Sequence, residues 1–331
     1  GVPFGRWGPP KRHTGRSRQD CGDLVRGRLP VHDRQPLDRV RAVEGPFLGA
    51  GRLEHQNRDE RAELGGAFEG EARPVSQQEP RPERVAEILH QSGADILCLQ
   101  EVDFSVPRSH NDDLAHRLAE ALGFHCSLGL NVFLKRGAYG NAILSRYPIA
   151  HTENLNITWG IKKARGCLMS RIETPAGDVA VLNMHLGLAG FERIRQVRMI
   201  LESSFLQTVQ SLPTVIVGDT NDRAEKVDRL FNRKGYIDTS SVRVKPAVAK
   251  KSVQLPDWRK LKNIKDIKEI RSLGIPVDLQ TFPSYSPFPL IRIDKVFVNN
   301  RFEIRAHDVI RNGHTRIASD HLPVQVDLHV V

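Results

Sequence analysis

Short apolar runs recur along this chain, and several of them hand over directly to a residue that carries charge or a metal-binding oxygen. Ala94-Asp95-Ile96-Leu97-Cys98-Leu99 leads into Gln100-Glu101-Val102-Asp103. Val179-Ala180-Val181-Leu182-Asn183-Met184 leads into His185, and Thr214-Val215-Ile216-Val217 into Gly218-Asp219-Thr220-Asn221. Ile291 to Val298 alternates around Asp294, and Ser319-Asp320-His321 comes just before the strand-like Val324-Gln325-Val326-Asp327-Leu328. Near-continuous apolar runs of this kind read as buried strands. Strand ends on one side of a sheet can aim all of these groups into a single pocket. Carboxylate and amide oxygens suit a hard divalent cation, and an imidazole beside a carboxylate suits proton transfer near neutral pH. One such residue at a strand end is most often structural. Five in one chain are hard to explain as scatter.

Between these runs the chain reads as helix. Pro82 to His90 carries apolar residues at 85, 88 and 89, with proline in the first turn and Ser92-Gly93 as a stop. Leu114 to Leu122 repeats the pattern and stops at Gly123, and Phe191 to Leu206 predicts a third helix with Ile194, Val197, Ile200 and Leu201 inward and Arg193, Arg195 and Arg198 outward. Alternating strands and helices with hairpin-type connections predict an α/β fold of two facing mixed β-sheets flanked by helices, a four-layer sandwich.

The order and wording of the motifs resemble the endonuclease/exonuclease/phosphatase superfamily, which includes pancreatic-type deoxyribonucleases, apurinic/apyrimidinic endonucleases, inositol-polyphosphate phosphatases and neutral sphingomyelinases. The resemblance rests on Leu99-Gln100-Glu101-Val102-Asp103, Gly140-Asn141-Ala142-Ile143-Leu144-Ser145-Arg146, Asn183-Met184-His185-Leu186, Gly218-Asp219-Thr220-Asn221, Ile293-Asp294 and Ser319-Asp320-His321. It covers roughly residues 82–331, and Thr281-Phe282-Pro283-Ser284 is similar to bacterial members of unassigned substrate. The resemblance implies a phosphoester hydrolase using Mg²⁺, with Mn²⁺ as a substitute. Glu101 would bind the cation with Asp320 beside it. Asp219 and Asn221 would position or activate water and hold the phosphate, His321 oriented by Asp294 would be the acid/base, and His185 would stabilise the phosphorane. Tyr139, Asn141 and Arg165 are further candidates for phosphate contact, weighed evenly against a purely structural role. Phosphoryl transfer to water needs charge neutralisation, an oriented nucleophile and a protonated leaving group, and this set supplies each.

The first 80 residues depart from the pattern. Family members open on a strand carrying a Tyr-Asn-Ile or Trp-Asn run, whereas Asn57 is the sole asparagine here and lies in a polar stretch. Pro46-Phe47-Leu48-Gly49-Ala50, the longest apolar stretch, is short and broken by glycine. Arginine is dense, Lys11 is the only lysine, and isoleucine and tyrosine are absent. A disordered tail, a separate small domain and out-of-frame translation of a GC-rich gene are the three readings, and the last is favoured because the resemblance starts in mid-domain. The expectation is a non-matching segment over 1–80, a catalytic domain over 81–331, and a sandwich whose first strand is missing.

The net charge of +10 is uneven. Residues 241–275 hold ten Lys and Arg against three Asp and Glu, a local +7 within an insertion between the Asp219 and Asp294 strands. There Asp257 reads as an N-cap, Gly274 and Pro276 as a stop, and Trp258 to Ile270 as an apolar stripe that winds around a helix. Such a basic element is either a solvated helix or a lid that draws in anionic substrate. Nucleic acid and an anionic membrane surface therefore both stay open as partners, although aromatic interleaving for single strands is thin. Four scattered cysteines indicate neither a disulfide framework nor a zinc site. No run of about 18 apolar residues suggests a transmembrane segment, and a cytoplasmic monomer is the expectation. A phosphate- or nucleic-acid-binding pseudoenzyme is the competing reading. The full set of proton-transfer residues weighs against it.

Overall fold

The computed structural model describes residues 39–46, 82–243, 279–284, 289, 291–312 and 315–331. The basic insertion and its proposed helix lie almost wholly outside these residues, as does nearly all of the 1–80 segment.

Two six-stranded sheets face one another, as the motif pattern predicts. The first has the order β11-β12-β1-β2-β4-β3, built from β1 (Arg39–Pro46), β2 (Ile96–Phe104), β3 (His125–Phe133), β4 (Ala138–Ser145), β11 (Phe302–Val309) and β12 (Val324–Val330). The second has the order β5-β6-β7-β8-β10-β9, from β5 (Ile149–Asn156), β6 (Gly166–Thr174), β7 (Gly177–His185), β8 (Thr214–Asp219), β9 (Ile237–Asp238) and β10 (Asp294–Val298). Among these pairings only β1–β2 and β7–β8 are parallel.

The core has three apolar layers. Between the sheets, Ile96, Cys98 and Ile143 meet Leu168, Val181, Val215 and Val296. Outside the first sheet, α1 (Pro82–Ser92) and α2 (Leu114–Leu122) bury Val85, Ile88, Leu89, Leu114 and Leu118. Outside the second, α3 (Gly190–Leu201), α4 (Ser204–Thr208) and α5 (Lys226–Asn232) cover Leu182, Met184 and Ile216. These spacings follow from strands whose two faces are both covered.

Two expectations need correction. The single helix over Phe191–Leu206 is two helices, because Ser203 turns extended and caps the second: its Oγ accepts from Leu206 N at 3.3 Å and donates to Ile200 O at 2.8 Å. The first strand is also not missing. Arg39–Pro46 lies between β12 and β2, with Val43 opposite both Gln325 and Leu97. The pleat of Arg39-Val40-Arg41-Ala42 has a strand's two-residue alternation, a signal the search for a longer apolar run passed over. The segment holds no asparagine or glutamine, so the strand brings no side-chain amide.

Three buried amides bridge the gap between the sheets. Asn183 Nδ2 donates to Leu99 O and Ala142 O, each at 2.9 Å, while its Oδ1 accepts from Gln100 Nε2 at 2.7 Å. Asn141 Nδ2 donates to Gly166 O at 3.0 Å and Asn183 O at 3.1 Å. The bridge exists because β2 bulges: Leu99 pairs with Ala142 but Val102 pairs with Gly140, so Gln100 and Glu101 face Asn141 alone. Carbonyls beside the bulge accept hydrogen bonds from the other sheet.

Replacing Asn183 by leucine keeps the volume but removes the donor to two carbonyls and leaves Gln100 Nε2 only its 3.4 Å bond to Cys98 O. With each buried orphan costing on the order of 1–3 kcal/mol, Asn183→Leu is expected to lower unfolding stability by at least about 2 kcal/mol. Urea denaturation of the two proteins measures it, and an unchanged midpoint would contradict the bridge.

Candidate active site

The β2 bulge sets the first functional side chain. Glu101 sits at φ 55°, a left-handed conformation uncommon outside glycine, and this turns it out of the strand's alternation toward the end of the sandwich. His185 closes β7 and Asp219 closes β8, opposite each other in the parallel ladder. Asp294 opens β10 opposite Asp219 in the antiparallel one. Three of the expected residues therefore share one sheet end through backbone register alone, and the bulge brings Glu101 to them from the other sheet.

His321 arrives from the loop before β12. The Thr281–Ser284 segment holds that loop: Ser284 N donates to Asp320 O at 2.7 Å, Leu322 N to Thr281 O at 2.8 Å, and Ser284 Oγ donates to Ser319 O. The Phe282 ring lies 4.8 Å from the imidazole, centre to centre. His321 Nδ1 then meets both oxygens of the fully buried Asp294, at 2.9 and 2.8 Å. Ligand atoms of Asp219, Asp294 and His321 all lie within 4.8 Å of one another. Asn221 N donates to Asp219 Oδ1 at 2.8 Å, and Asn221 Nδ2 to Leu186 O at 3.0 Å.

On the facing side, His185 Nε2 stands 3.6 Å from Asp219 Oδ2 and its Nδ1 3.9 Å from Glu101 Oε1. Arg165, buried, places Nη1 3.5 Å from His185 Nδ1, while its Nε has no protein partner. Glu101, Tyr139, Asn141, Arg165 and His185 line one small cleft with Asn131 and Val132. Asp320 is exposed at the rim and is felt electrostatically by Glu101 and His321.

Each expected residue therefore lies at or near this end. The role open for Asn141 is narrowed, since both hydrogens of its amide are committed to the bridge. Sequence reasoning passed over Lys163, whose Nζ is 4.0 Å from Glu101 Oε1 and lies over the Tyr139 ring at 5.8 Å. It also passed over Arg108, which forks onto buried Asp103 at 2.7 and 2.5 Å and covers the same ring at 5.5 Å. Neither follows an apolar run, so no strand-end signal marked them.

Burial works against charge here and neighbours work back. Desolvation raises Glu101, with Lys163 and Arg165 pulling the other way. Desolvation also drives Asp219 up to about 7, a rise that His321 resists and Asp294 reinforces. His185 falls well below its ordinary value through burial, helped by Arg165 and Lys163, and so is neutral. For His321 burial opposes the cation, but Asp294, Asp219 and Asp320 outweigh it and lift the group to about 10. Glu101 and Asp219 near the cleft, both raised by desolvation, and the exposed Asp320 at its rim form a hard-oxygen set that fits a divalent cation.

These shifts fix a sign for stability. His321 is raised from 6.5 to about 10, so its contribution is complete below about pH 6.5 and is lost as pH rises through about 10. Asp219 is raised from 3.8 to about 7, so it too costs stability as pH rises, across about 4 to 7. Chelator-treated protein is expected to unfold progressively more easily from about pH 6 to 10. Asp294→Asn should flatten the upper part of that slope and bring the His321 titration, followed by NMR, back toward the ordinary imidazole range.

Comparison with known proteins agrees with this geometry. The model of the Endonuclease/Exonuclease/phosphatase family matches residues 64–321. The chain is 29% identical over 246 residues to YbhP of Escherichia coli K12, covering 72% of this chain and 84% of that protein. An endonuclease/exonuclease/phosphatase from Beutenbergia cavernae superposes with TM-score 0.58 at 22% identity, over 88% of this chain and 72% of the other. The Bacteroides thetaiotaomicron mannosyl-6-phosphatase Bt3783 superposes with TM-score 0.57 at 16% identity, over 87% and 99%. The strand-end carboxylates and imidazoles thus sit on a known scaffold, and this chain belongs to the endonuclease/exonuclease/phosphatase family.

Proposed function

We propose that this chain is a divalent-metal-dependent phosphoester hydrolase. The observation that carries the reading is the Asp294–His321 pair, held within reach of Asp219 and faced across the cleft by Glu101, His185 and Arg165. A structural ion pair needs no second carboxylate at ligand distance and no second imidazole opposite.

Glu101, with Asp320 at the rim, would hold Mg²⁺ or Mn²⁺. When bound, such an ion supplies charge neutralisation at the phosphoryl oxygens and acidifies water. Asp219, with a carboxyl poised near neutrality, accepts the proton of the attacking water, and Asn221 N fixes the carboxylate's orientation. His321 carries its proton at neutral pH because Asp294 and Asp219 flank it, and it delivers that proton or charge to the leaving oxygen. Two titratable neighbours with separated pKa values divide the base and acid roles. Neutral His185 donates one N–H to a non-bridging oxygen. Arg165 offers its unpartnered Nε to the same phosphoryl group.

One observation favours a weaker variant of this reading. β1 brings no amide to the sheet, and the buried Gln100 Oε1 beside Glu101 lacks a protein partner. A site short of one amide would bind phosphate and turn over slowly.

With bis-p-nitrophenyl phosphate as a generic substrate, turnover is expected to need Mg²⁺ or Mn²⁺. Asp219→Ala or His321→Ala should lower kcat by roughly a hundredfold or more. Full turnover in excess chelator would overturn the proposal, and phosphate binding without turnover would establish the weaker variant.

A further inference from the structure

Among the described residues, seven large apolar side chains are exposed, and five of them surround the site: Phe133, Trp159, Ile161, Leu188 and Phe191. The other two, Ile237 and Val331, stand apart from it. Single exposed apolar residues are ordinary, but a group on one rim marks an interaction surface.

The five sit on three connections at the same end of the sandwich. Phe133 ends β3 opposite Ala138, which pairs in turn with Phe104 beyond the Glu101 bulge. Trp159 and Ile161 lie between β5 and β6, in the loop that ends on Arg165. Leu188 and Phe191 follow His185 and open α3. Val132, Ala164 and His185 from these connections line the cleft itself. The loops also touch: the Arg195 guanidinium, one helical turn after Phe191, lies 4.7 Å over the Trp159 ring.

Cations stand beside each apolar tip. Lys135 and Arg136 follow Phe133, Lys162 and Lys163 follow Ile161, and exposed Arg195 follows Phe191. The one carboxylate in these stretches, Glu192, is buried and turned inward, where its Oε2 accepts from Ala189 N at 3.5 Å and its Oε1 from Gln196 Nε2 at 3.3 Å. Apolar tips with interspersed Lys and Arg are the chemistry of an anionic lipid–water interface, where side chains enter the headgroup boundary and cations meet lipid phosphates. Base stacking would want open aromatic faces. Here Phe133 and Phe191 are open, but Trp159 lies under Arg195, and the most exposed side chain, Ile161, is aliphatic and offers no stacking face.

We propose that this rim docks on an anionic lipid bilayer and presents the cleft to the phosphoester headgroup of an amphipathic substrate. The substrate half of this inference rests on the phosphoester-hydrolase reading, whereas the docking half does not. It is therefore tested without turnover.

The full chain is mixed with vesicles of phosphatidylcholine alone and with 30 mol% phosphatidylglycerol (about a third anionic), and binding is read by flotation and by Trp fluorescence. The expected result is binding to the anionic vesicles that weakens at high salt and falls at least tenfold in Ile161→Ser/Leu188→Ser/Phe191→Ser. The control Ile237→Ser should bind like the parent. The triple variant removes exposed side chains only, and unchanged circular dichroism and thermal unfolding would show it intact. Equal vesicle binding by the triple variant and the parent, or no binding by either, overturns the proposal. So does salt-sensitive binding of single-stranded polynucleotide that the triple substitution abolishes while vesicle binding stays.

Discussion

Everything at the reactive end of this molecule depends on the amide bridge between its two sheets. Gln100 stands directly before Glu101 and Asn183 two residues before His185, and they bond to each other at 2.7 Å. A face-to-face sandwich is otherwise held by side chains that tolerate sliding. Directional hydrogen bonds in a dry setting do not tolerate it, because any slip leaves donors and carbonyls unpaired. The bridge therefore fixes the spacing of two groups that belong to different sheets. The bulge in β2 beside it swings Glu101 outward, and the Leu99 and Ala142 carbonyls next to that bulge accept from Asn183.

The second sheet contributes by register. β7, β8 and β10 end together, so that His185 faces Asp219 and Asp219 faces Asp294 without any loop having to place them. Among His185, Asp219, Asp294 and His321, only His321 depends on a loop, and that loop is braced by Thr281, Ser284 and Phe282. A site built on strand ends loses little side-chain entropy when substrate arrives, which favours preorganised electrostatics over induced fit. Its cost is buried negative charge, and a bound divalent cation would offset it.

Much of this was legible in the sequence. Buried strands in an α/β sandwich are near-continuous apolar runs, and each run ended on the residue that the structure brings to the site. What escaped was whatever depended on a partner far away in the chain. Gln100 and Asn183 are 83 residues apart, and nothing in their neighbourhoods marks them as a pair. Arg108 and Lys163 meet over Tyr139 from separate connections and lack any local pattern. β1 was overlooked for a different reason. A central strand was sought as an apolar run, whereas Arg39–Pro46 offers only alternation among arginines, and its place rests on backbone pairing with β12 and β2.

If Glu101 and its neighbours form a divalent-cation site, chelator-stripped protein will take up the ion through them. Isothermal titration with Mn²⁺, followed by thermal unfolding with and without the ion, gives affinity and linked stability together. The expected result is saturable binding with an increase in Tm, both lost in Glu101→Gln, a substitution that keeps the shape and removes the charge. Binding of equal strength in Glu101→Gln, or no binding by the parent chain, would contradict it.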